Sequence, residues 1–323
     1  MTARQAASFA THRPDYWQQV AAHCAHDFLS YQVFVHGYLP APPHEMACPT
    51  CGGEPAPGSG RCDTCEGSGV YVIPSHHEVI AERLLYGERL ELILGPPDTA
   101  KSTYGVGFAE WTLGRNPNWR WLIASEVAAG IATTIVTQIG ETISDNERFH
   151  LVFGELRDPR GKGEWSSHSV RLRTHISPQE AKRSGRPVTP PPPPWLLVPE
   201  PDRPPRVTPI FPQRGRRPGL AHPNVKAVGW RTGYTGVRAE GLIADDLVSD
   251  KSSRSQLVTE TVFRTLHQKM LARLTGDQQR AILFGQRWAP RDLYGMLLEH
   301  ATVCYDSNPH REGVWVLDRE LSA

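Results

Sequence analysis

The stretch over residues 92–103 reads Leu-Ile-Leu-Gly-Pro-Pro-Asp-Thr-Ala-Lys-Ser-Thr. Its apolar first residues, Leu92 to Leu94, predict the end of a buried strand, and Gly95 predicts a tight turn. The residues from Lys101 onward predict a helix. A strand, a glycine turn and a lysine-serine pair at a helix start form a phosphate-binding loop, because helix N-terminal N–H groups and the helix dipole attract phosphate. We call residues 95–103 the lysine loop. Its predicted nucleotide contacts are Gly95, Pro96, Pro97, Asp98, Thr99, Ala100, Lys101, Ser102 and Thr103.

The lysine loop predicts a site for ATP with Mg²⁺. Lys101 is expected to contact the β- and γ-phosphates, and the Ser102 hydroxyl is expected to bind Mg²⁺. The spacing follows the pattern G-x4-G-K-[ST], except that Ala100 occupies the position of the last glycine. A small residue there still lets the backbone approach phosphate. The alternative is an ordinary strand-turn-helix junction whose lysine is a surface charge.

Length and composition indicate a soluble intracellular protein. A chain of 323 residues with 39% hydrophobic residues allows one large α/β domain with additions, or two domains. The net charge of +1 excludes a globally basic nucleic-acid-binding protein, so any basic surface must be local. No apolar run reaches the roughly 18 residues of a membrane span, and the N-terminus lacks a signal-peptide pattern.

Two C-x-x-C pairs predict a structural Zn²⁺ site. Cys48 and Cys51 are separated by ten residues from Cys62 and Cys65, and glycines follow each pair. Each pair supplies two thiolates from one tight turn, and four cysteines close the tetrahedral shell against a catalytic role. The stretch CDTCEGSG also resembles one repeat of the cysteine-rich region of J-domain chaperones, over this hairpin alone. The alternatives are free thiols or a redox pair.

Periodicity predicts the elements around the lysine loop. Residues 15–39 predict a helix capped by Asp15, with Cys24 in the core, followed by a turn or strand. Residues 76–86 predict a helix whose first histidines either contact adenine or lie on the surface. Residues 120–125 predict a strand, and residues 126–144 a helix interrupted by Gly130 and Gly140.

Residues 241–247, Gly-Leu-Ile-Ala-Asp-Asp-Leu, predict a buried parallel strand that carries two acids to its carboxyl end, where such sheets bind ligands. Asp245 is expected to hold Mg²⁺. Asp246 stands where a glutamate usually orients and deprotonates the attacking water. The alternative is a strand that ends in an acidic turn, and the lysine loop about 140 residues earlier argues against it.

Residues 280–285 predict a third strand, followed by Gln286 and by a helix over residues 292–298. Gln286 is a candidate for sensing the γ-phosphate. Arg287 and Arg238 are candidates for stabilising transition-state charge, in cis or from a neighbouring subunit. The alternative for each arginine is a salt bridge or a DNA-backbone contact.

Three stretches together resemble the ATPase domain of the large terminase subunit of tailed bacteriophages: GPPDTAKST, VKAVGWRTGYTGVRAEGLIADDL and ILFGQRWAPRDLYGMLLE. Members of that family read approximately PRxxAKST, GxxTGxRxDxxxxDD and GTRWxxxDLxGxLL, in the same order, so the likeness covers about residues 76–299. The resemblance implies an ATP-driven motor that moves double-stranded viral DNA into the procapsid. It also implies that the chain forms a homo-oligomeric ring at the portal, with the portal protein and the small terminase subunit as partners. The implied location is the cytoplasm of the infected bacterium.

The chain departs from this family at three positions. Pro97 stands where the family loop often has an arginine proposed to act on the phosphates, and Gln286 stands where threonine is usual in the motif that couples hydrolysis to movement. Asp246 in place of glutamate is normal within this branch. The resemblance implies a C-terminal nuclease domain as well, but 24 residues follow Glu299, too few for one. We therefore expect the motor half without nuclease activity.

A proline- and arginine-rich insertion is predicted over residues 175–222. Residues 160–217 hold twelve Lys or Arg and four acids, a local excess of 12 − 4 = +8. Proline runs are stiff and do not join a sheet, so this insertion either contacts DNA phosphates or a partner, or is a solvated loop.

The predicted fold class is α/β, a P-loop ATPase core of the ASCE/RecA-like type with a mainly parallel sheet flanked by helices, plus a small zinc-binding hairpin. The predicted layout is an N-terminal helical segment (1–47), the zinc hairpin (48–70), the ATPase domain (71–300) and a tail or linker (301–323). Two other functions stay open: a helicase-like DNA translocase outside packaging, and a nucleic-acid-binding module that does not hydrolyse ATP.

Overall fold

The computed structural model describes residues 14–36, 46–47, 70–71, 75–97, 99–157, 165–172, 223–231, 237–276, 279–308 and 312–317. These residues form a nine-stranded mixed sheet with helices on both faces, and a separate pair of short strands. The predicted α/β architecture of a sheet flanked by helices is therefore confirmed.

The described strands are short in the middle of the sheet and longer at one edge. In chain order they are β1 Met46–Ala47, β2 Val70–Tyr71, β3 Leu90–Leu94, β4 Trp121–Ser125, β5 Trp165–Ser166, β6 Ser169–Val170, β7 Val225–Gly229, β8 Gly241–Asp245, β9 Arg280–Gly285, β10 Ala301–Asn308 and β11 Glu312–Leu317. The sheet order is β10-β11-β3-β9-β8-β4-β7-β6-β5. Five adjacent strands in this order are parallel to one another: β3, β9, β8, β4 and β7. Antiparallel strands extend the sheet at both edges.

The described helices are α1 Pro14–His26, α2 Phe28–Val35, α3 Ser75–Tyr86, α4 Lys101–Arg115, α5 Thr133–Asp145, α6 Glu147–Phe153, α7 Asp250–Ser253, α8 Gln256–Thr265 and α9 Leu293–Leu298. A π-helical turn, Ala128–Ala132, precedes α5, and a π turn with a 3-10 turn, Leu266–Met270 and Leu271–Arg273, follows α8. Among the described residues, we find no helix with both the length and the apolar character that a bilayer span requires.

Alternate residues of the central strands enter two apolar cores, because successive strand side chains point to opposite faces. Ile93, Ile123 and Ile243 pack with the helices of the first face, around Phe28, Phe108 and Trp111. Leu92, Leu122 and Leu242 pack on the other face. That face is covered by α8 and α9, with residues such as Val262 and Leu293. Burial on both faces explains why these strands read as continuous apolar runs.

The N-terminal segment forms two helices rather than one helix followed by a turn or strand. Asp27 ends the first helix and caps the second, since its side chain accepts a hydrogen bond from the Ser30 N–H at 2.6 Å. Asp15 lies inside α1, which begins at Pro14, and Cys24 lies in the core as predicted. Helix α2 packs on α4, where Phe28 contacts Phe108 with ring centroids 5.5 Å apart.

Two other segments differ from their predictions. The helix predicted over residues 126–144 begins only at Thr133, since Gly130 is non-helical (φ −129°, ψ −121°), and it continues through Gly140. The tail or linker was predicted over residues 301–323; within it, the described residues 301–308 and 312–317 instead form the antiparallel strands β10 and β11, and β11 pairs antiparallel with β3. This hairpin extends the sheet beside the strand that leads into the lysine loop.

The cysteine segment itself lies outside the described residues, but the two strands that flank it are described. Met46 pairs with Tyr71 and Ala47 with Val70, antiparallel. Ala47 and Val70, which border residues 48–69 in the sequence, are therefore adjacent. The zinc hairpin and its ligands Cys48, Cys51, Cys62 and Cys65 remain a prediction, as does the insertion at residues 175–222.

Candidate active site

The lysine loop joins the carboxyl end of β3 to the start of α4. The Gly95 N–H donates a hydrogen bond to the Gly285 carbonyl at the end of β9 (3.2 Å). The Lys101 Nζ donates to the Pro96 carbonyl at 2.6 Å and to the Thr99 Oγ1 at 3.0 Å. The Lys101 side chain is thus hydrogen-bonded to residues of its own loop. Pro96 and Pro97 are exposed, and Asp98 lies outside the described residues.

Ala100 has a left-handed backbone conformation, with φ 58° and ψ 14°. An L-residue there is roughly 1–2 kcal/mol less favourable than in the right-handed region, whereas glycine adopts it freely. Ala100 is also the N-cap of α4, and its side chain offers no acceptor for the first N–H groups of this helix. The structure thus gives a conformational reason why glycine is usual at this position.

The two acids of β8 lie beside this helix start. Asp245 is 3% exposed and lies close to Ser102, while Asp246 is half-buried. Asp246 also has a left-handed backbone (φ 45°), a conformation that aspartate and asparagine tolerate better than most residues. We call residues 245–249 the acidic turn.

Burial gives both acids an unusual proton affinity. Loss of solvent raises the pKa of Asp245 from 3.8 to about 6, against the opposing effect of the Ser102 hydrogen bond. The neighbouring Asp246 charge contributes to this rise in pKa, and Lys101 opposes it. Burial also raises the pKa of Asp246, while Lys101 again opposes the shift. A buried carboxylate with its pKa raised in this way is stabilised by a bound cation.

A cavity of about 560 Å³ opens beside the two acids, between α4 and α5. Ser102, Thr103, Asp245 and Asp246 line one part of it, and the remaining lining residues are His36, Val106, Glu110, Ile131, Thr134, Ile135, Gln138, Glu141 and Thr142. Polar groups and two further carboxylates therefore face the same space as the predicted site. The cavity leaves room for a ligand next to the acids.

Glu110 is a functional-site candidate that the sequence reasoning missed. It is fully buried on α4, its Oε2 accepts a hydrogen bond from the Tyr31 hydroxyl at 3.2 Å, and the same oxygen lies 3.0 Å from the His36 Nε2. Burial alone would lower the pKa of His36, but the hydrogen bond and charge of Glu110 outweigh it and raise the pKa. The available signal was an acid eight positions after Ser102 in an otherwise apolar helix.

The structure brings Gln286 close to the site. It follows β9, which lies between β3 and β8, so its backbone is bracketed by the lysine loop and the acidic turn. Two hydrogen bonds fix this arrangement: Gly95 N–H to the Gly285 carbonyl and Asp246 N–H to the Phe284 carbonyl, both 3.2 Å. The position suits the predicted contact with a γ-phosphate.

The two predicted arginines are placed differently. The Arg287 Nε donates to the Asp292 Oδ1 at 3.0 Å, and its Nη2 donates to the carbonyls of Ala289 and Pro290. Arg287 therefore stabilises the turn before α9. Arg238 is exposed and precedes β8, so it lies at the amino edge of the sheet, opposite Asp245. Within one chain, Arg238 is not brought to the acids.

The residues present fit a hard divalent cation at one place. The Ser102 hydroxyl and the Asp245 carboxylate offer the oxygen ligands that Mg²⁺ prefers, and both residues line the same cavity. The described residues contain no group of three or more His, Cys, Asp or Glu suited to a metal, so phosphate oxygens and water would complete such a shell.

The chain was also compared with known proteins. No protein-family model matches it, and a sequence search of curated proteins finds no significant match.

Proposed function

We propose that this chain is an ATP hydrolase that binds MgATP between the lysine loop and the acidic turn. One observation carries the proposal: Ser102 at the start of α4 lines one cavity together with Asp245 at the end of β8 and with Asp246, which follows it directly. About 140 residues separate the two elements in sequence. Parallel strands place both at the carboxyl edge of the sheet, where α/β proteins bind their ligands.

The first N–H groups of α4 and the Lys101 ammonium are the groups that would hold the phosphates. The dipole of this 15-residue helix favours negative charge at its start. Lys101 now donates to oxygens of its own loop, at Pro96 and Thr99, and phosphate oxygens would replace those acceptors. Ser102 and Asp245 would hold Mg²⁺, which supplies charge neutralisation at the phosphates when bound.

Asp246 is the residue that accepts the proton. In the proposed reaction, a water oxygen forms a bond to the γ-phosphorus, the bond from that phosphorus to the β–γ bridging oxygen breaks, and the water proton passes to the Asp246 carboxylate. ADP and phosphate leave. Burial raises the pKa of Asp246, which makes this carboxylate a better base at neutral pH than an exposed aspartate.

Lys101→Ala and Asp246→Asn test the proposal at different steps. Lys101→Ala should abolish turnover by weakening phosphate binding, whereas Asp246→Asn should keep binding of a fluorescent ATP analogue and lose turnover by about 10²-fold or more. Asparagine tolerates the left-handed backbone of residue 246, so a loss there reports chemistry rather than strain. Lys251→Ala, at an exposed lysine of α7, is the matched control. Turnover by Asp246→Asn at the parent rate would remove that residue from the mechanism.

We further propose that hydrolysis drives movement of double-stranded DNA, as in the large terminase subunit that the chain resembles. Support comes from the ordered set of three stretches: the first is the lysine loop, the second includes β8 with the two acids, and the third begins within β9 and includes α9. In this proposal the chain works as a homo-oligomeric ring at the procapsid portal in the host cytoplasm, with the portal protein and the small terminase subunit as partners. Duplex DNA should then raise ATP turnover, and a turnover rate that ignores DNA at all concentrations would argue against a motor.

A further inference from the structure

Glu126 links the end of β4 to the acidic turn in two places. Its backbone N–H donates to the Asp246 carbonyl at 3.2 Å, and its carboxylate Oε2 accepts from the Ser249 N–H at 3.1 Å. More than 110 residues separate Glu126 from both partners. The residue directly after the neighbouring strand thus contacts both Asp246, which we place as the base, and Ser249 at the end of the acidic turn.

The conformation of Asp246 depends on such contacts. Its φ of 45° is unfavourable for most L-residues and persists only where the surroundings hold it. The Asp246 N–H donates to the Phe284 carbonyl of β9, and the Asp246 carbonyl accepts from Glu126 of the β4 end. The base is therefore held between the two strands that flank β8.

The rest of the acidic turn is held from the same two sides. On the β9 side, the Leu247 N–H donates to the Tyr294 hydroxyl, which donates to the Phe284 carbonyl; both distances are 3.2 Å. On the β4 side, the Glu126 carboxylate supplies a side-chain contact to the turn. The Ser249 N–H also donates to the Ser252 Oγ at 2.8 Å within the cap of α7, so Glu126 ties an already formed cap to β4.

Glu126 is itself anchored by its neighbour. The Ser125 hydroxyl donates to the Val127 carbonyl at 2.8 Å and accepts from the Ala132 N–H at 3.2 Å, which closes the irregular segment after β4. Glu126 does not line the cavity. Its carboxylate is thus placed to hold the turn rather than to contact the bound nucleotide.

From this geometry we propose that Glu126 is a positioning residue that orients Asp246 for proton transfer, by accepting the Ser249 N–H and holding the acidic turn against β4. The inference rests on the proposed ATP hydrolysis. The group that matters is the acceptor oxygen, because the partner is a neutral backbone N–H. Glutamine retains such an oxygen and alanine does not, so the pair Glu126→Gln and Glu126→Ala separates hydrogen bonding from charge.

Steady-state ATP turnover with Mg²⁺ is the first measurement. Glu126→Ala should lower kcat on the order of 10- to 100-fold, the effect of a misplaced catalytic group, and leave KM within about threefold. Glu126→Gln should keep kcat within about threefold of the parent value. Glu155→Ala, at an exposed glutamate after α6, should match the parent. An unchanged kcat in Glu126→Ala overturns the inference, and an equal loss in both Glu126 variants overturns the acceptor role.

Hydrogen exchange at the acidic turn is the second measurement, and it needs no activity. The Asp246 and Ser249 amides should exchange severalfold faster in Glu126→Ala than in Glu126→Gln, while amides of β9 keep the parent rate. If the parent chain hydrolyses no ATP, the proposed function fails, and this comparison still decides whether Glu126 holds the turn. Equal exchange of these amides in both variants overturns the inference, with or without turnover.

Discussion

Replacing Asp245 with asparagine should stabilise the protein in the absence of divalent cations, and the gain should grow with pH. Burial raises the pKa of Asp245 from 3.8 to about 6, so the folded protein holds this proton over a range where the unfolded chain has lost it. The stability from this group is complete below pH 3.8 and is lost as pH rises through about 6. The shift of roughly two units corresponds to about 3 kcal/mol at pH 7 and above.

Urea unfolding of the parent and Asp245→Asn at several pH values between 4 and 8 measures this effect, in buffers without added Mg²⁺. The difference in unfolding free energy cancels the titration of groups common to both proteins. It should be small near pH 4 and reach about 3 kcal/mol at pH 7.5 in favour of the variant. Asparagine keeps one carbonyl oxygen as an acceptor and has nearly the shape of aspartate, so the comparison changes mainly the charge.

Asp145→Asn is the matched control, because the Asp145 side chain is 72% exposed and its ion pair with Arg157 is long, at 3.9 Å. It should show little difference from the parent at any pH. Added Mg²⁺ with ADP should stabilise the parent at pH 7.5 and leave Asp245→Asn nearly unchanged. A difference that stays constant from pH 4 to 8, or a variant less stable than the parent at pH 7.5, would refute this reasoning.

Three further predictions concern the loop, the metal and DNA. Ala100→Gly should raise the free energy of unfolding by up to about 1 kcal/mol. Glycine adopts the left-handed conformation without strain, but its greater entropy in the unfolded chain offsets part of that gain. Thermal unfolding measures the change, and a lower midpoint in the variant contradicts the prediction. Elemental analysis should find one Zn²⁺ per chain, bound by Cys48, Cys51, Cys62 and Cys65, and protein purified under reducing conditions without stoichiometric metal would rule the site out. Replacing Arg214, Arg216 and Arg217 together by alanine should lower the salt slope of duplex binding by up to about three units without changing DNA-free turnover; an unaltered slope would mean that these residues lie off the DNA path.

The central strands were predictable from sequence because they are buried on both faces. The runs at residues 90–94, 241–245 and 280–285 are apolar almost throughout, and each ends at a glycine or an acid that marks the ligand edge. Their order in the sheet had no local signal. The sequence does not reveal that β9 separates β3 from β8, because pairing depends on the packing of both faces.

Contacts made by the backbone were also beyond the sequence. The positive φ of Asp246 arises from hydrogen bonds to two neighbouring strands, and Glu126 reads in the sequence as the first residue of a helix. Glu110 was missed because its partners, Tyr31 and His36, come from a helix far away in the chain. The C-terminal hairpin was missed because its pairing with β3 joins residues more than 200 positions apart.

The position of β3 has a consequence for the order in which the chain can fold during synthesis. Its two neighbours in the sheet are β9 and β11. About 190 further residues must therefore be synthesised before β9, the partner that comes earlier in the sequence, is complete. At roughly 5–20 residues per second, that delay is about 10–40 s on the ribosome. Throughout it, the sequence Leu-Glu-Leu-Ile-Leu of β3 lacks both of its strand partners. Glu91, buried against Arg83 in the finished fold, interrupts this apolar run with a charge and so limits its association with other nascent chains.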